Sequence, residues 1–85
     1  MNTERMAELS DIYGVQDFGQ TISTVKIDIV CSDPRTEVPA FASRWDLNSQ
    51  IVMMKGPGGG WPLVRFTGDT NQIFQMLDHY DNGGV

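Results

Sequence analysis

The segment GDTNQIFQMLDHYDNGG, residues 68–84, constrains the fold more than any other stretch of this chain. Ile73, Phe74, Met76, Leu77 and Tyr80 recur at helical spacing and make one apolar face. Asp69 stands where an N-cap belongs, with Gln72 three residues on, as in a capping box. Gly83 supplies a stop. A helix with one apolar face has to bury that face against another element, so the rest of the chain must provide an apolar surface.

The segment TVKIDIVC is the first candidate for that surface. Val25, Ile27, Ile29 and Cys31 alternate with Lys26 and Asp28, and period-two patterning with β-branched residues predicts a half-buried strand. Pro34 and Pro39 punctuate SDPRTEVP, which reads as a loop. AFASRW, QIVMMK and WPLVRFT then read as three further strands, consecutive and hairpin-linked, with the turn-like DLNS after the first. At the start, NTERMAELSDIYG predicts a helix. Asn2 or Thr3 can cap it, Gly14 can end it, and Met6, Leu9 and Tyr13 form a narrow stripe.

The expected architecture is therefore α+β, in the order α-β-β-β-β-α. It is a small single domain whose four-stranded, mostly antiparallel sheet carries the carboxy-terminal helix on one face. Residues 1–20 form the amino-terminal helix and its linker, able to dock or to stay mobile until a partner arrives. Residues 21–85 form the core. The passage from Cys31 to Phe41 can be a hairpin or a crossing to the far edge of the sheet.

Composition limits the function classes. The chain has 85 residues, 40% hydrophobic and 20% charged, enough for one modest core. Its net charge of −5 is concentrated at the two ends, while residues 40–68 set Arg44, Lys55 and Arg65 against Asp46 alone. Duplex DNA is not an expected partner for so acidic a protein. The single cysteine permits no internal disulfide or Cys-pair metal knuckle, and suits a reducing cytoplasm. Acids throughout the first twenty residues are incompatible with a signal peptide, and the longest aliphatic run, Ile51–Met54, is far too short for a membrane span. The expected setting is soluble and cytoplasmic. In size and acidity the chain is similar to small accessory proteins of phage genomes, a likeness that no motif carries.

The run KGPGGGWP, residues 55–62, invites a phosphate-loop reading. Such a loop needs a helix after it, whose amino terminus helps bind the anion. Here the glycines lead into WPLVRFT, a predicted strand, and Lys55 precedes the run instead of closing it. The run is expected to be a hairpin connection whose glycines supply positive φ.

Catalytic constellations are absent. His79, the only histidine, falls near a helix end among acids, and Cys31 is in phase with the buried side of its strand. Asp78, His79 and Asp81 lack the spacing of a metal site. No cofactor and no metal are expected. If Lys55 pairs with Pro62 and Trp45 with Gln50, one sheet face carries Ala42, Ile51, Met53, Val64 and Phe66, under the final helix. The other carries Phe41, Trp45, Val52, Met54, Leu63 and Arg65, with Trp61 at its end. A one-residue slip would exchange those faces.

Phe41, Trp45, Lys55, Trp61, Leu63 and Arg65 thus become the candidate binding residues. They suit a non-catalytic protein-interaction module, a small inhibitor or regulator of a larger protein, with another protein or a second copy of the chain as partner. The alternative is a binder that stacks a nucleotide or short single strand on Trp45 and Trp61. The plain competing reading makes both tryptophans core.

Overall fold

The computed structural model describes residues 1–56 and 59–84. It contains three helices and three strands: α1 (Thr3–Tyr13), β1 (Ile22–Asp28), α2 (Pro34–Ser43), β2 (Asn48–Met53), β3 (Leu63–Asp69) and α3 (Thr70–Asp81). The α+β class holds. The expected fourth strand does not.

The corrected element is AFASRW, which lies wholly in α2 and the turn after it. Pro34 sits in the first turn of that helix, where a missing N–H costs nothing. The Glu37 carboxylate accepts a hydrogen bond from the Asp33 backbone N–H, securing the entry. Val38, Phe41 and Ala42 then recur at i, i+3 and i+4 and are all buried. Pro39 lies inside the helix on its exposed side, so the carbonyl it leaves unbonded is that of Arg35, also exposed.

β3 is the central strand of the sheet, with β1 and β2 antiparallel to it on either side. β1 and β2 therefore run parallel to each other, and α2 carries the chain across from one edge to the other. That resolves the open passage after Cys31 as a crossing.

The helices lie over one face of this sheet. Val25 and Ile27 of β1, Ile29 just beyond it, and Val64 and Phe66 of β3 are at most 4% exposed. Ile73, Phe74, Met76 and Leu77 of α3 are equally buried, as the helical periodicity requires. Phe41 of α2 meets the Phe66 ring edge-on at 5.9 Å. Thr24, Lys26, Gln50, Arg65 and Thr67 share the opposite face, which no helix covers and whose polar character is normal for a one-sided antiparallel sheet.

Helix caps follow the sequence closely. The Asn2 side chain accepts from the Arg5 N–H at 2.8 Å, and Asp69 accepts from Asn71 and Gln72. Gly14 ends α1 in the left-handed conformation, at φ 72°.

α1 packs against α3 and β1. Leu9 is fully buried, and Arg5 forms ion pairs with Asp78 and Asp81 of α3 at 2.9 Å. The Tyr13 hydroxyl donates to Asp81 at 2.6 Å, and the Tyr13 and Tyr80 rings pack edge to face. These bonds hold the Asp81 carboxyl below its usual range, through the Tyr13 hydroxyl first and Arg5 second. The Tyr13 hydroxyl is pushed up to about 12 by burial and by Asp81.

A carboxyl whose pKa is lowered in the folded state stabilises fully above its unfolded pKa, and that contribution is lost as pH falls through the folded value. Asp81 should accordingly leave stability flat from neutrality to about pH 5 and release the α1–α3 link below the ordinary carboxylate range. Near-ultraviolet circular dichroism of the tyrosines, followed from pH 7 to pH 2, should show that release. In Asp81→Asn the link is already weakened at pH 7 and this part of the acid response should be missing.

Candidate interaction surface

The six candidate residues fall in three places. Phe41 and Trp45 belong to the helix layer, where their rings meet at 5.0 Å. His79 of α3 stacks at a tilt 5.1 Å from Trp45, and the Arg44 guanidinium lies 4.9 Å from the same indole. Phe41 is 5% exposed and is part of the core. Leu63 and Arg65 lie on the uncovered sheet face, where Arg65 donates to the Gln50 side-chain carbonyl at 2.9 Å. Lys55 and Trp61 flank the β2–β3 loop, both exposed.

The two indoles therefore occupy different layers, and no ring contact joins them among the described residues. The expectation of one aromatic face depended on AFASRW being a strand. Once that segment is a helix, Phe41 and Trp45 leave the sheet.

The loop itself joins two antiparallel strands, as a hairpin connection should. Gly59 and Gly60 have φ of 89° and 87°, and the Gly56 N–H donates to the Trp61 carbonyl at 2.7 Å. Pro57 and Gly58, which are part of the glycine run, lie outside the described residues.

A β-bulge precedes this loop and changes what is exposed. Ile51 stands opposite Val64, but Met53 stands opposite Leu63, so β2 has gained one residue at Val52. The assumed pairing would have kept Met53 on the core face. The bulge moves it to the face of Leu63, where it is 47% exposed. Val52, Met54 and Trp61 are exposed alongside it, at 39%, 48% and 42%. The neighbouring Val30 is exposed as well, held there by the Ile29 N–H bonding the Pro62 carbonyl at 3.0 Å. One end of the sheet thus gathers five of the nine large apolar side chains exposed among the described residues, an apolar tip.

The two sheet edges differ. In β1 the Thr24 N–H and carbonyl both bond Gln16, at 3.1 and 2.8 Å, so the linker covers that edge. The Asp28 carbonyl accepts from the Tyr80 hydroxyl at 2.6 Å. With Thr24 turned away from β3, alternation in an antiparallel ladder turns Val25 and Ile27 toward it. The same alternation carried across β3 directs Asn48 and Gln50 of β2 inward, and Ser49 and Ile51 outward. Among the described residues, no backbone hydrogen bond beyond the β3 ladder reaches Ser49 or Ile51. Among the described residues, then, the β1 edge is bonded at Thr24 and at the Asp28 carbonyl though not at Lys26, and the β2 edge is bonded at neither Ser49 nor Ile51. Sequence reasoning missed this because edge status depends on strand order, although the readable signal was there: LNSQIVMM, residues 47–54, has no charge and no proline.

A cleft of about 230 Å³ lies between the end of β1 and α2, bordered by Ile29, Cys31, Glu37, Phe41 and Arg44. Its one thiol is poorly suited to attack. Burial raises the Cys31 pKa, and Glu37 and Asp33 raise it further, which keeps the sulfur protonated. No group of three or more His, Cys, Asp or Glu able to hold a metal ion occurs among the described residues. No described helix is long and apolar enough to cross a membrane. No protein-family model matches the chain, and neither a curated protein nor a solved structure matches it.

Proposed function

We propose that this domain is a non-catalytic protein-interaction module that engages its partner through the apolar tip and the outer edge of β2. One observation carries the reading. The chain spends a linker residue and a tyrosine hydroxyl on part of the β1 edge, at Thr24 and Asp28, yet leaves the outward groups of β2 unbonded beside the apolar cluster of Val52, Met53, Met54 and Trp61. Unpaired strand edges recruit other strands, and an exposed tryptophan among apolar neighbours is the usual composition of a binding hot spot.

Position-specific photocrosslinking tests this in the cells that make the protein. A photoreactive residue at Met54 should yield one discrete protein adduct, while the same residue at Lys26, on the β1 edge between the bonded Thr24 and Asp28, should yield none. Adding Trp61→Ala should reduce the Met54 adduct at least tenfold, as expected when a hot-spot residue worth about 2 kcal/mol is lost. The change should leave the melting temperature within a few degrees of wild type, because Trp61 is exposed. Absence of any protein adduct from Met54 would refute the module reading.

A further inference from the structure

We infer that the partner at the open edge is a second copy of this chain, paired through β2 in antiparallel register about a two-fold axis at Gln50. The inference rests on the module reading and specifies its occupant.

Self-pairing places a strand against itself, so any charge on it faces its own image or a near neighbour. A chain carrying −5 would ordinarily resist such an approach. β2 avoids the conflict, since residues 47–54 carry no charge and no proline. It also lacks the lysines and inward charges with which proteins blunt free edges.

The register follows from which groups point outward. Ser49 and Ile51 present N–H and carbonyl groups to solvent, so each must meet such a residue in the other copy. An antiparallel pairing that sets Ser49 opposite Ile51 of the copy, and Ile51 opposite its Ser49, satisfies all of them. Gln50 then faces Gln50 of the copy as a non-hydrogen-bonded pair, with Cα atoms about 4.5 Å apart.

A side-chain amide is both donor and acceptor, so glutamine is complementary to itself. The Gln50 carbonyl already accepts from Arg65 and keeps a second lone pair, while its amide nitrogen is left to donate. Outside the paired stretch each strand is flanked by Asp46 at its start and Lys55 after its end, so in an antiparallel pair the flanking charges nearest each other are opposite in sign. Two three-stranded sheets become one six-stranded sheet. The bulge at Val52 bends β2 away beyond this short stretch, which keeps the contact small and the affinity micromolar or weaker.

Sedimentation equilibrium on the full chain, from about 10 µM to about 1 mM, reads this directly. The wild-type mass should rise from 9.5 kDa toward twice that value. Gln50→Lys sets two ammonium groups face to face and should shift the association severalfold or more toward higher concentration. An equimolar mixture of Gln50→Lys and Gln50→Glu should regain the dimer, a rescue that no folding defect would produce.

A wild-type protein monomeric across the range overturns self-pairing. So does a dimer indifferent to Gln50→Lys. If the wild type is monomeric while Met54 still crosslinks to a heavier protein, only this inference fails and the module reading stands. If no adduct forms and the mass does not rise, both fail.

Discussion

Phe41→Ala should cost the domain about 3–5 kcal/mol, the usual penalty for emptying a buried aromatic site. Phe41 is 5% exposed, and its ring meets Phe66, Trp45 and His79. A domain of this length has roughly 4–13 kcal/mol of stability in total, so the variant should lose a large share of its folded population. Urea denaturation followed by far-ultraviolet circular dichroism gives the number. Trp61→Ala, measured beside it, should stay within about 0.5 kcal/mol of wild type. Two aromatic residues that look interchangeable in the sequence are thereby separated into core and surface. An unchanged midpoint for Phe41→Ala would mean that α2 does not dock where the structure places it.

Leu9→Ala carries the second large effect, about 2–5 kcal/mol, because Leu9 is fully buried and anchors α1 in the core. The loss should appear in the global unfolding transition, with α1 and the sheet melting together. Arg5, Tyr13 and Asp81 support the same docking from the surface, and salt should weaken their share without touching that of Leu9. If Leu9→Ala leaves the urea midpoint unmoved, α1 is not part of the cooperative unit.

Local rules recovered five of the six elements, all but α2, together with the caps of α1 and α3. The α3 segment combines five apolar residues at helical spacing with an N-cap and a glycine stop, and all of these signals agree. β1 was legible because β-branched residues alternate without interruption, and α1 because Asn2 and Gly14 bracket its stripe. α2 was not legible. Its two prolines resemble loop punctuation, and in so short an apolar segment the i, i+3, i+4 pattern of Val38, Phe41 and Ala42 competes with alternation. What decides the matter is tertiary: the β2 half of the sheet needs a cover, and a helix supplies it.

The surface was harder to read for a related reason. Pairing of β2 with β3 was expected, but in a register two residues away at Ile51, a slip that preserves the face. The bulge at Val52 then adds a one-residue slip that does not, and Met53 turns outward. The openness of β2 depends on β3 lying between it and β1, a fact about long-range topology that no short window contains. The absence of charge along residues 47–54 was visible all along, but acquires meaning only once those residues are known to form an edge.

Residue-resolved amide hydrogen exchange in dilute solution distinguishes the two edges, β1 bonded to the linker at Thr24 and β2 without an outer partner. Thr24, Gln16 and Gln50 should exchange slowly, and Ser49 and Ile51 fast. Exchange at Ser49 and Ile51 as slow as at Gln50, in the most dilute sample, would show that the chain covers its own β2 edge and would contradict the account.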